Sequence, residues 1–133
     1  MSGEPWQSWL RRARSNLARA QLGQETPDIL YEDLCFDAQQ AAEKALKGLL
    51  AYLSFDIPRT HSIGYLLKLI DESGRIRVPV RLEEAAILTD YAVTTRYPGD
   101  WEPIDETEYE RALLLAQQVY EWVLSVMQQN PEM

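Results

Sequence analysis

The chain has 133 residues with 46% hydrophobic side chains, enough for one core, and carries 21 acidic against 13 basic groups for a formal net charge of −8. That balance opposes wholesale adhesion to nucleic acid or an anionic membrane, where a basic face supplies most of the affinity. A lone Cys35 excludes an intramolecular disulfide, a lone His61 excludes a multi-histidine metal site, and no apolar run approaches the roughly 18 residues that span a bilayer. A single domain over residues 1–133, cytoplasmic and without cofactor or metal, is the expectation. The opening residues show neither the basic start nor the apolar stretch of a signal peptide.

Charge is distributed unevenly. Arg11, Arg12, Arg14 and Arg19 face only Glu4 within the first two dozen residues, whereas eight acids and only Arg111 follow from Asp100 onward. The favoured reading sets the first and last helices side by side; the alternative is a basic patch for a phosphate-bearing partner.

Periodicity predicts helices throughout. The first runs from Pro5 to about Leu22, with Trp6, Leu10, Ala13, Leu17 and Ala20 on one stripe and Gly23 as a stop. The second runs from about Asp28, a suitable N-cap, to Leu53, with Leu34, Ala38, Ala41, Ala45, Leu49 and Tyr52 inside. A short third helix spans about Ser62 to Glu72 and closes at Gly74. Arg75 to Pro79 alternates but is too short to anchor a sheet. The fourth helix is expected from about Arg81 to Arg96, ending before Pro98-Gly99. The fifth begins near Asp105 and reaches about Gln129, burying Leu113, Ala116, Val119 or Tyr120, Val123 and Met127. The fold class is therefore all-α: an antiparallel up-and-down helical bundle of four main helices and one short one.

On a 100° wheel the fourth helix places Leu82, Ala86, Thr89, Ala92 and Val93 on one side and Ile87, Leu88 and Tyr91 on the other. A helix apolar on two sides needs two covers. A homodimer through Ile87, Leu88 and Tyr91 is the first reading, and cover by the third helix with the Arg75–Pro79 loop is the second.

No Gly-rich phosphate loop, EF-hand or zinc spacing is present, and a serine–histidine triad would depend entirely on His61. No catalytic residue is assigned. Two polar groups stand out. Asp37, Gln40, Lys44 and Lys47 share one stripe of the second helix, continued by Gly48 and Ala51, which admits a ligand, another backbone, or simply solvent. Tyr91, Arg96, Tyr97 and Asp100 converge where the fourth helix meets a tight turn, a combination suited to a phosphate and a base or to a structural arginine. His61, ahead of the third helix, reads as a packing or capping residue.

The run Ala38-Gln39-Gln40-Ala41-Ala42-Glu43-Lys44-Ala45-Leu46-Lys47, followed by Thr60-His61-Ser62 and then Arg96-Tyr97-Pro98, resembles the HEPN family, the nucleotide-binding domain of higher eukaryotes and prokaryotes. The resemblance implies a helical bundle, commonly homodimeric, and many members resemble half of a two-gene pair whose other half is a small nucleotidyltransferase. Some are ribonuclease toxins, in which an arginine is followed after four to six residues by a histidine. From Arg96 those positions hold Trp101, Glu102 and Pro103, so the chain is similar to the branch lacking the nuclease motif. Three readings are open. The chain is a nucleotide- or polyanion-binding module using Lys44, Lys47, Arg96 and Tyr97 with Tyr91, Asp37 and Gln40. It is an antitoxin-like interaction subunit of a nucleotidyltransferase pair. Or it is a divergent ribonuclease, with Asp100 or His61 handling protons and RNA as substrate.

Overall fold

Alanine, leucine and a single glycine surround one polar stripe between residues 34 and 53, and this stretch, most of it buried, becomes the central helix of the molecule. The computed structural model describes residues 5–93 and 103–131. They form α1 (Trp6–Gln21), α2 (Tyr31–Tyr52), α3 (Ile63–Glu72), a 3₁₀ segment (Val80–Thr89), α4 (Asp90–Val93) and α5 (Glu106–Gln129), with no strand among the described residues. All other helical elements pack on α2.

The stops and starts are local chemistry. Gly23 and Gly74 take positive φ (+67° and +76°) behind α1 and α3. Ser62 Oγ caps α3 by accepting from the Tyr65 amide at 3.1 Å, and Asp105 Oδ1 caps α5 by accepting from the Glu108 amide at 2.8 Å. Asp28 does not cap α2. Its amide donates to Thr26 Oγ1, and the helix opens behind Leu30 instead.

Aromatic clamps fix the register at each end of α2. Trp6 meets Tyr52 edge-on at 5.2 Å, and the Tyr52 hydroxyl donates to the Asn130 carbonyl at 2.6 Å, tying α1, α2 and the end of α5. At the other end Tyr31 stacks on Tyr109 at 5.1 Å, while the Tyr109 hydroxyl donates to the Ala20 carbonyl at 2.6 Å. These pairings make α1 antiparallel and α5 parallel to α2. The first and last helices therefore meet α2 first and each other only secondarily, and Arg19 of α1 pairs with Asp37 of α2.

After α2 the chain turns back at Ser54, whose positive φ (65°) lets the Phe55 amide donate to the Leu50 carbonyl at 2.9 Å. The extended return delivers His61 beside the middle of α2 before α3 begins.

The expected fourth α-helix is mostly a ten-residue 3₁₀ segment followed by one α-helical turn. With three residues per turn, Leu82, Ala85 and Leu88 fall on one face, and all three are buried. Leu88 is thus part of the core, which removes it from the expected dimer face. Ile87, one step round, is 47% exposed. α3 packs on the other stripe, where Gly64 lies against Ala86 and the Ile63 amide donates to Thr89 Oγ1 at 3.0 Å, while Tyr91 reaches Glu108 of α5.

Candidate functional site

The polar stripe of α2 is largely covered, with Asp37 and Lys47 buried and Gln40 and Lys44 half-buried. Gly48 lets α1 approach so closely that an added Cβ would meet Leu10 and Trp9 at 3.2 Å. That contact lays α1 along the stripe, and the neighbour admitted by Gly48 is a helix of the same chain.

Two hubs organise the polar groups. The first is Glu43, whose side chain is 4% exposed. Its Oε1 accepts from Gln39 Nε2 at 2.9 Å and faces His61 Nδ1 at 2.9 Å, while Oε2 accepts from Lys47 Nζ at 2.8 Å. Burial pushes the Glu43 carboxyl up, but the hydrogen bonds from Lys47, Gln39 and His61 outweigh it and bring its pKa below the ordinary value. Lys47 is itself buried, with its ammonium 5.7 Å from the Trp9 ring centroid. Gln39 also donates to the His61 carbonyl at 3.3 Å and accepts from Gln40 Nε2 at 2.7 Å.

The second hub is Asn16 of α1, also buried. Its Nδ2 donates to Asp37 Oδ1 at 3.2 Å and its Oδ1 accepts from Lys44 Nζ at 3.1 Å. Asp37 is buried and is reached at 3.2 Å by Arg19, whose side chain is 65% exposed. Lys44 is half-buried. Desolvation lowers its pKa; Glu43 opposes that, the positive charges of Arg12 and Arg19 reinforce it, and Asp37 opposes it again.

The sequence-predicted groups do not all share one site. Asp37, Gln40, Lys44 and Lys47 are brought together, but Asp37 and Lys47 are inside the seam. His61 is joined to them through Glu43, and Ser62 rather than His61 caps α3. Tyr91 lies elsewhere. Its hydroxyl donates to Glu108 Oε2 at 2.6 Å, and it lines a cavity of about 250 Å³ with Ile87, Asp90, Glu108, Arg111 and Ala112. Arg111 there pairs with Glu84. Arg96, Tyr97 and Asp100 lie outside the described residues. Periodicity missed Glu43, Gln39 and Asn16. The available signal was the Gln39, Glu43, Lys47 ladder at successive i,i+4 steps, a spacing that favours mutual pairing.

Among the described residues no cluster of histidine, cysteine, aspartate or glutamate is arranged to hold a metal ion, and no helix is long and apolar enough to cross a membrane.

A bundle whose central helix carries a buried acid–lysine pair, met from outside by a histidine, and a polar seam with its neighbour defines an all-helical class in which polar groups hold the packing. The HEPN domain profile matches residues 6–126, and the chain belongs to the HEPN domain family. It is similar to the crystal structure of TT1696 from Thermus thermophilus, at 39% identity and a TM-score of 0.77, covering 90% of this chain and 96% of that one. It is likewise similar to ST0689, an archaeal HEPN homologue, at 26% identity and a TM-score of 0.75 over 94% and 99% of the two chains. A HEPN domain protein from Thermotoga maritima (tm0613) shares the fold at 24% identity and a TM-score of 0.69, over 91% and 98%. No curated protein matches the chain.

Proposed function

We propose that this HEPN domain is a nucleotide- or polyanion-binding module that works with a small nucleotidyltransferase. The observation that carries the reading is the gathering of Lys44, Arg12 and Arg19 at the α1–α2 seam of a chain whose net charge is −8. Asp37 and Glu43 of α2 offset part of this charge, and α1 supplies no acid of its own to add to them. Such a cluster gains most when an oligophosphate neutralises it. Lys47 is committed to Glu43 and plays no direct part. Arg96 and Tyr97 enter from the sequence, as a phosphate fork and a stacking ring. Metal-independent cleavage by the family's arginine–histidine motif is disfavoured, because the only histidine stands on Glu43 and no arginine precedes it at the required spacing.

The test is a thermal-shift panel with ATP, GTP, their diphosphates and short RNA, run on wild type, Lys44→Ala and Arg96→Ala. A ligand at about a hundred times its dissociation constant adds roughly 2.7 kcal/mol, a shift of several degrees. The expected result is a shift with one ligand class that Lys44→Ala abolishes while leaving the ligand-free Tm nearly unchanged. No shift with any ligand overturns the binding reading. It would favour a pure interaction subunit, a role consistent with the internal neutralisation of Lys47 and Asp37. Co-expression with a nucleotidyltransferase encoded beside it, scored by stoichiometric co-purification, tests that role. The homodimer belongs to the same proposal and would use Ile87 in place of Leu88.

A further inference from the structure

The Glu43 hub holds more than packing requires. A buried carboxylate and a buried lysine already form a neutral pair at 2.8 Å, with Gln39 filling one further acceptor site. His61 adds a third donor from outside, and its side chain is 59% exposed. Its main-chain carbonyl is anchored as well, by Gln39, so ring and backbone are both fixed against α2. Among the described residues the other ring nitrogen, Nε2, has no hydrogen-bond partner.

These contacts set the tautomer. Glu43 is ionised, since the Lys47 ammonium and the Gln39 amide both donate to it, and it offers Nδ1 only an acceptor. Nδ1 therefore carries the proton, and in the neutral ring the lone pair is on Nε2, across the ring from Glu43, in a side chain that is 59% exposed. A carboxylate behind one imidazole nitrogen fixes the orientation of the ring, and it stabilises the ring once that ring becomes positive. Capping of α3 does not need this arrangement, because Ser62 performs it.

The geometry points to His61 as a nucleophile that accepts a phosphoryl group at Nε2, with Glu43 as its positioning residue. The donor is a small high-energy phosphate of the acyl phosphate or phosphoramidate class. The Nε2 lone pair forms the N–P bond as the bond from phosphorus to the leaving group breaks. The bonding electrons depart with the carboxylate of an acyl phosphate, or with the ammonia of a phosphoramidate. Nδ1 keeps its proton throughout. The phosphorylated ring is cationic, and the charge falls directly against Glu43 Oε1, so no other proton acceptor is needed. This covalent chemistry is independent of nucleotide binding, because it uses the Glu43 hub and leaves the Lys44 seam aside.

Because His61 is the only histidine, the assay is unambiguous. Native protein is treated with potassium phosphoramidate near neutral pH. Uptake is followed by intact mass, and the isomer is assigned by phosphorus NMR. The native chain is expected to take one phosphoryl group, on Nε2 alone. The same chain unfolded in urea, with both nitrogens free, should give both isomers. Glu43→Gln should slow the native reaction roughly 10–100-fold. Should that variant fail to fold, Glu43→Gln with Lys47→Met removes both buried charges together and should show the same loss. Phosphate on Nδ1 of the native protein would overturn the assignment. So would equal rates in wild type and a folded Glu43 variant.

Discussion

The two buried carboxylates of α2, Glu43 at the first hub and Asp37 at the second, are held between helices by opposite means. Glu43 is balanced from within: its lysine is 9% exposed, so carboxylate and partner left water together. Asp37 is balanced from without, by an arginine that remains largely in solvent and by the amide of Asn16. The first arrangement is intolerant, because a buried charge whose partner is removed has nowhere to turn. The second is permissive, because water and salt can stand in for Arg19. A site that must exchange partners with a ligand belongs at the permissive hub, and a site that must hold a side chain in one orientation belongs at the intolerant one.

The sharpest way to break this contrast is to remove one member of the inner pair. Lys47→Ala should cost about 3–5 kcal/mol in urea unfolding, while Glu43→Gln combined with Lys47→Met should recover most of that loss. If the double variant is no better than the single, Glu43 is not a buried charge in need of a partner. Acid offers a gentler version of the same test. The folded pKa of Glu43 lies below its unfolded value, so its contribution is fully present above the unfolded value and is lost as pH falls through the folded one. Wild type should therefore lose stability on acidification below the ordinary carboxylate range more steeply than the double variant, as pH-dependent melting would reveal. The smallest effect should come from the outer hub: Arg19→Ala is expected to cost under about 1 kcal/mol and to lose even that in high salt. A loss comparable to that of Lys47→Ala would erase the distinction.

Much of the architecture was legible wherever one period governed an element for many turns. Leu34, Ala38, Ala41, Ala45, Leu49 and Tyr52 are buried as the wheel predicts, and Ser62, Asp105, Gly23 and Gly74 bound their helices as their chemistry requires. The polar stripe of α2 was harder to interpret. Four polar residues at helical spacing describe a solvated face equally well, and only the close approach at Gly48 decides that α1 covers them. His61 and Glu43 are 18 residues apart and meet because the chain doubles back after Ser54, which no local pattern encodes. The segment before α4 misled the wheel because its period is three rather than 3.6, a change that moves Leu88 from outside to inside.

That same change of period sets a length. At about 2.0 Å per residue a ten-residue 3₁₀ stretch reaches roughly 5 Å further than the same residues wound as an α-helix. Rewinding Val80–Thr89 would pull α4 back along the chain by that distance. It would also turn Leu88 by roughly a third of a revolution away from the face it shares with Leu82 and Ala85. Three buried side chains thus act as a ratchet pawl on the thread between α3 and α4, holding Tyr91 out where its hydroxyl can reach Glu108 of α5.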